Sequence, residues 1–143
     1  MKIYTNFNIE KKFQNSAIAI GNFDGFHLGH QKVIKNGKKI AKKNKLKFGL
    51  MVFQPLPIMF FNKKLKNYRI DSLEQKINSS KKYGIDFLIV KKFDKKFSKT
   101  KAEDFIENIL YKKLKTKLVF ISKNFRFGKK RKGDIKLLKK KGK

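Results

Sequence analysis

The chain contains no cysteine and no tryptophan, two prolines, two histidines, and ten acidic residues in a length of 143. Each shortage excludes something. Without cysteine there is no disulfide framework and no thiolate metal site, and nothing argues for secretion. The N-terminus, Met1-Lys2-Ile3-Tyr4-Thr5-Asn6, lacks a long apolar run, and no stretch elsewhere is long enough to span a bilayer. No signal peptide and no membrane partner are therefore expected, and the expected compartment is the cytoplasm. The length suits one domain with its own core.

Lysine is what the chain has in abundance. The 39 basic residues give a formal charge of +29, enough to attract polyanions. The lysines are scattered and accompanied by many Ile, Asn and Phe residues, a usage that fits an AT-rich genome, and they read as a solvated surface. No specific nucleic-acid partner is expected. Nucleotides, acidic lipids or RNA would be drawn non-specifically at low salt. Arg69, Arg126 and Arg131 are the only arginines; in a lysine-biased chain they mark positions that need a planar, multi-donor group.

The segment Gly21-Asn22-Phe23-Asp24-Gly25-Phe26-His27-Leu28-Gly29-His30 holds both histidines. It follows an apolar run, Ala17-Ile18-Ala19-Ile20, and precedes a helical pattern. A helix N-terminus offers unpaired N–H groups and partial positive charge to a phosphate. Gly21, Gly25 and Gly29 permit tight turns and close approach of a ligand to the backbone. A helix beginning near His27 would put His27 and His30 on one face, one turn apart. Imidazole donates a hydrogen bond in either protonation state, and donors placed where negative charge grows catalyse phosphoryl and nucleotidyl transfer. Asp24 reads equally well as a turn-former bonded to its own backbone.

Patterning gives alternating elements. Strands are predicted over Ser16 to Asn22, Leu46 to Phe53 (ended by Pro55 and Pro57), Ile85 to Val90, and Leu118 to Ile121. Helices are predicted over Leu28 to Lys43, with Val33, Ile34 and Ile40 inward and Gly37 as a weak point, and over Ser72 to Tyr83 with a Ser72/Gln75 capping box. Another is predicted over Thr100 to Leu114, with Thr100 as N-cap and Phe105, Ile106, Ile109 and Leu110 as its apolar face, and Pro57 to Phe61 reads as a short helical turn. This order predicts an α/β fold, a parallel sheet with helices on both faces and ligands beyond the strand C-termini. Asn22 to His30, Gln54 to Pro57, Lys91 to Ser98 and Ser122 to Gly128 all fall there. From Lys129 the chain is rich in Lys, Arg and Gly. Residues 139–143 read as a frayed basic tail, leaving residues 1–138 as the domain.

His27-Leu28-Gly29-His30 resembles the H-x-G-H motif of nucleotidylyltransferases. The longer string GNFDGFHLGHQ is similar to the adenylyltransferase module of bacterial bifunctional riboflavin kinase/FMN adenylyltransferases, also called FAD synthetases. The likeness continues in order. Val52-Phe53-Gln54-Pro55-Leu56-Pro57 resembles that family's T-F-[ED]-P-H-P strand end, and Arg69-Ile70-Asp71-Ser72-Leu73-Glu74-Gln75-Lys76 its R-L-T-S-L-E-E-K helix start. Gly84-Ile85-Asp86 and Phe93-Asp94-Lys95-Lys96-Phe97-Ser98 match the next strand and loop. Asn124-Phe125-Arg126-Phe127-Gly128 with Gly133-Asp134 resembles the D-F-R-F-G…G-D element near the flavin.

The resemblance implies a Rossmann-like three-layer α/β/α fold and transfer of AMP from ATP to FMN, giving FAD and pyrophosphate. It implies His27 and His30 on the triphosphate and the transition-state charge. Gly21, Asn22, Phe23, Asp24, Gly25 and Gly29 would form the ATP loop, and Phe125, Arg126, Phe127 and Gly128 a flavin-side flap. Mg²⁺ would come with the ATP phosphates, since no motif identifies a metal cage. The sequence also departs from the family. Gln54 and Leu56 stand where it has an acid and a histidine, and Ser122, Lys123 and Asn124 precede Phe125 where it has an acid, a glycine and an aspartate. The later I-S-S-[TS]-x-[IV]-R element and the riboflavin kinase module are not in this chain. Three other readings therefore stand: a transferase acting on another small acceptor, a truncated or degenerate module that binds nucleotide without catalysis, and a basic RNA-binding protein on the same fold.

Overall fold

The buried strands sort their side chains by the two-residue period of an extended chain. Ile18, Ile20, Met51, Phe53, Phe87 and Ile89 enter one core cluster, while Ala17, Ala19, Leu50, Val52, Leu88 and Val90 enter another. Both faces of the sheet are thus covered, which is why these segments read as unbroken apolar runs. The computed structural model describes residues 1–62, 64, 72–122 and 124–142. Its sheet holds five strands, β1 (Lys2–Tyr4), β2 (Ala17–Ile20), β3 (Phe48–Gln54), β4 (Phe87–Lys92) and β5 (Leu118–Phe120), in the order β1-β4-β3-β2-β5. Every pairing is parallel.

On one face lie α1 (Leu28–Lys43) and α3 (Leu73–Lys82), supplying Ile34, Ala41, Leu73 and Ile77 to that core. On the other face, α5 (Ala102–Asp104) runs into a π-helical segment, Phe105–Lys113, which buries Phe105, Ile106 and Leu110 with Phe7, Ile9 and Phe13 of the N-terminal segment. The short helices α2 (Pro57–Phe61) and α4 (Lys95–Ser98) follow β3 and β4, and α6 (Ile135–Lys141) follows β5. The mixed α/β architecture with a parallel sheet between helical layers is the one expected. Among the described residues, no helix is long and apolar enough to cross a membrane.

Gly37 does not break α1. A Cβ there would come within 2.6 Å of the buried Phe48 ring, so the glycine lets the helix settle onto the sheet. The Ser72 capping box forms in both directions: Gln75 N–H donates to Ser72 Oγ at 3.2 Å and Ser72 N–H to Gln75 Oε1 at 2.6 Å. Residues 69–71 of that motif lie outside the described residues.

Four expectations are corrected. Thr100 is not a helix cap; its N–H bonds Phe97 O and its carbonyl accepts from Lys129 N, so it closes the turn after α4, and Lys101 takes the N-cap position with no side-chain bond. The helix expected from Thr100 to Leu114 is α-helical only at its start, and Leu114 N–H reaches back to Ile109 O in the π pattern. Ile40 is half-buried and packs in neither core, because Gly37 and Ala41 bring the helix closest to the sheet. Residues 139–141 are the exposed last turn of α6, whose Asp134 N-cap and inward Leu137 and Leu138 give it a reason to form. Strand β1 was not anticipated from the sequence.

Candidate functional site

One cavity of about 930 Å³ opens at the C-terminal ends of β2, β3 and β4 and is closed by the segment after β5. That volume suits a small-molecule site. It lies where β2 leads into a helix on one face while neighbouring β5 is reached from the other, the crevice in which parallel α/β sheets take ligands.

The loop after β2 turns sharply. Phe23 (φ 47), Gly25 (φ 76) and Phe26 (φ 46) are all left-handed, a costly conformation for phenylalanine. Burial of the two rings holds it: Phe23 stands edge-on to His30 at 5.2 Å, and Phe26 stacks on Tyr83 at 5.8 Å. The turn expected of the glycines is thus made in good part by phenylalanines.

His27 is the N-cap of α1, and its Nδ1 accepts a 3.1 Å bond from Gly29 N–H. In the neutral ring this leaves the proton on Nε2. His30 lies one turn on, with its ring 3.6 Å from His27's and nearly parallel to it. Burial, then the charges of His27 and Lys76, push His30 down to about 4 against the opposing pull of Asp24. The imidazole of His30 is therefore neutral at pH 7. Its Nδ1 and the Oδ1 of Asn22 are buried with no hydrogen-bond partner among the described residues, and both residues line the cavity. Buried polar atoms are nearly always satisfied, so two residues of the cavity wall hold hydrogen-bonding capacity that no described residue meets.

The opposite wall is the segment 125–134. Phe127 and Gly133 exchange backbone bonds of 3.1 and 2.8 Å. Gly128 has φ 78 and sits so close to α5 that a Cβ would lie 2.6 Å from the Ala102 backbone. Lys129 N–H bonds Thr100 O at 2.7 Å. Arg126 pairs with Asp134 at 3.3 Å, and both Arg126 and Arg131 line the cavity.

An aromatic side of the cavity went unnoticed in the sequence. Phe53, Phe61, Phe93 and Phe97 line it, with Phe93 in contact with the other three at 5.7 to 6.1 Å. Phe61 is 67% exposed, an unusual state for so large an apolar side chain. The available signal was the clustering of phenylalanines at successive strand ends. Leu56 is also there, 2% exposed, and Asn124 and Ser122 line the rim. Lys123 lies outside the described residues.

The cavity therefore gathers Gly21, Asn22, Phe23, Asp24, His27, His30, Phe125, Arg126, Phe127 and Gly128. Gly25, in the loop after β2, and Gly29, in the first turn of α1, do not line it. Among the described residues, no group of three or more His, Asp or Glu side chains could hold a metal.

Comparison with known proteins bears on this site. The FAD synthetase family model matches residues 9–143. A bifunctional riboflavin kinase/FMN adenylyltransferase from Buchnera aphidicola subsp. Schizaphis graminum (strain Sg) is 46% identical over 132 residues, covering 92% of this chain and 42% of that protein. One from Escherichia coli (strain K12) is 33% identical over 129 residues, covering 90% and 41%. The chain thus spans about 42% of the curated relatives' length. A crystal structure described as a macrolide-efflux protein from Streptococcus pneumoniae shares the fold, with a TM-score of 0.79 and 23% identity over 96% of this chain and 45% of that one.

Proposed function

The chain belongs to the FAD synthetase family, and from that premise we propose that it transfers AMP from ATP to FMN, releasing pyrophosphate and FAD in the cytoplasm. The observation that carries this reading is the meeting of two dissimilar walls across one cavity. The His27/His30 helix start suits phosphates, and the phenylalanine-rich side with the Arg126 flap suits a flat aromatic ring bearing a phosphate.

In this reaction an FMN phosphate oxygen attacks the α-phosphorus of ATP. A new P–O bond forms as the bond to the bridging oxygen breaks, and that oxygen leaves with pyrophosphate. The protein's task is to position the reactants and offset developing charge. His27 presents Nε2–H, because its Nδ1 is occupied by Gly29 N–H. His30, neutral and desolvated, holds its hydrogen-bonding capacity ready in a dry setting where donors act most strongly. Asn22 brings a buried carbonyl oxygen and amide to the same loop. Asp24 is the single carboxylate among the described lining residues, so Mg²⁺ would be held chiefly by the ATP phosphates and would supply charge neutralisation there.

The deciding experiment incubates the chain with ATP, Mg²⁺ and FMN and follows FAD by chromatography, with His30→Ala as control. FAD from the native chain and far less from the variant supports the reading. No FAD while ATP still raises thermal stability would leave a nucleotide-binding module without the chemistry.

A further inference from the structure

Asp134 spends its two carboxylate oxygens on different tasks. Oδ1 accepts the Leu137 N–H at 2.9 Å and caps α6; Oδ2 accepts from Arg126 Nη1 at 3.3 Å. α6 in turn packs Leu137 and Leu138 against the core cluster that contains Phe127. One residue therefore ties the guanidinium of Arg126, a residue of the cavity wall, to a helix that is itself anchored in the core. The contact with Arg126 is single rather than two-pronged, and among the described residues no other partner takes the remaining guanidinium N–H groups, which leaves them for an anion.

We infer that Asp134 is a positioning residue, which holds Arg126 toward the cavity so that it can take the phosphate of the flavin substrate. The inference rests on the proposed reaction for the identity of that ligand and on geometry alone for the orientation. An arginine has many rotamers, and fixing one before binding removes a cost that the ligand would otherwise bear. The flap backbone does not supply this restraint by itself. The Phe127–Gly133 bonds and the Gly128–Ala102 contact fix the main chain, while Arg126 is half-exposed and meets Asp134 as its one ion-pair partner among the described residues.

The test separates capping from positioning. Serine caps a helix but is too short and uncharged to hold the guanidinium, so Asp134→Ser keeps the first task and drops the second. FMN binding, read by quenching of its fluorescence, should weaken about two- to fivefold in Asp134→Ser, the span expected of an exposed charge pair. In an Arg126→Ala background the same substitution should have no effect. A second readout needs no ligand. With three arginines in the chain, the side-chain Nε–H signals in a nitrogen-15 spectrum are few, and Arg126 should lose its order in Asp134→Ser while the melting temperature holds. Equal losses with and without Arg126, or an Arg126 signal just as ordered in the variant, would overturn the inference. If the native chain binds no FMN, the proposed reaction fails, and the Arg126 signal still decides the role of Asp134.

Discussion

At the scale of single residues, the two histidines carry different burdens. Truncating either to alanine should slow adenylyl transfer at least about tenfold through lost transition-state stabilisation; steady-state turnover unchanged in both variants would remove them from the mechanism. His30 also makes a prediction about stability. Its folded value of about 4 lies below the ordinary 6.5, so the unfolded chain takes up the proton more readily. The stability that its neutral form contributes is complete above pH 6.5 and is lost as the pH falls toward 4. Urea midpoints measured across that range should drop further in the native chain than in His30→Gln, and parallel curves would show that His30 is not the group involved. On the other wall, Arg126→Ala should weaken FMN more than ATP. Equal losses measured by titration calorimetry would place Arg126 away from the flavin side.

At the scale of elements, Gly37 offers a case where two principles oppose. Alanine gains about 1 kcal/mol of helix propensity over glycine. The added methyl, however, would lie 2.6 Å from the buried Phe48 ring, and overpacking of that kind costs about 1–3 kcal/mol. Gly37→Ala should therefore lower the melting temperature, and a rise would mean that the Phe48 ring moves aside freely. This glycine also shows the limit of reading elements from sequence. The α1 boundaries, the strands β2 to β4 and the Ser72 capping box follow from local patterns, because each is set by neighbours in the chain. Thr100 has the chemistry of a cap but is diverted by Lys129, a partner far along the sequence. Strand β1 has only three residues and pairs with β4 from the far end of the chain's order, so nothing local announces it. The site divides in the same way. The histidine loop was legible because its residues are contiguous, whereas the wall of Phe53, Phe61, Phe93 and Phe97 exists only once the ends of β3 and β4 are brought together.

For the molecule as a whole, charge is the dominant fact. The net charge is +29, and among the described residues two ion pairs form, Arg126–Asp134 at 3.3 Å and Lys141–Glu107 at 3.7 Å. Like charges crowd the surface, and salt at about 0.1 M screens beyond ~10 Å. The melting temperature should therefore rise by a few degrees as sodium chloride increases from about 0.02 to 0.3 M, since screening relieves repulsion in the compact state. A falling melting temperature would mean that attractive pairs outweigh it. The seating of Gly128 on Ala102 has a different kind of consequence. It joins the stretch after β5 to the start of α5, so the two borders of the cavity are tied to each other. An incoming molecule meets a wall whose disorder was removed when the chain folded. Loosening that seam would leave the chemistry intact and shift the ordering step to the moment of encounter, to be read as slower capture rather than slower turnover.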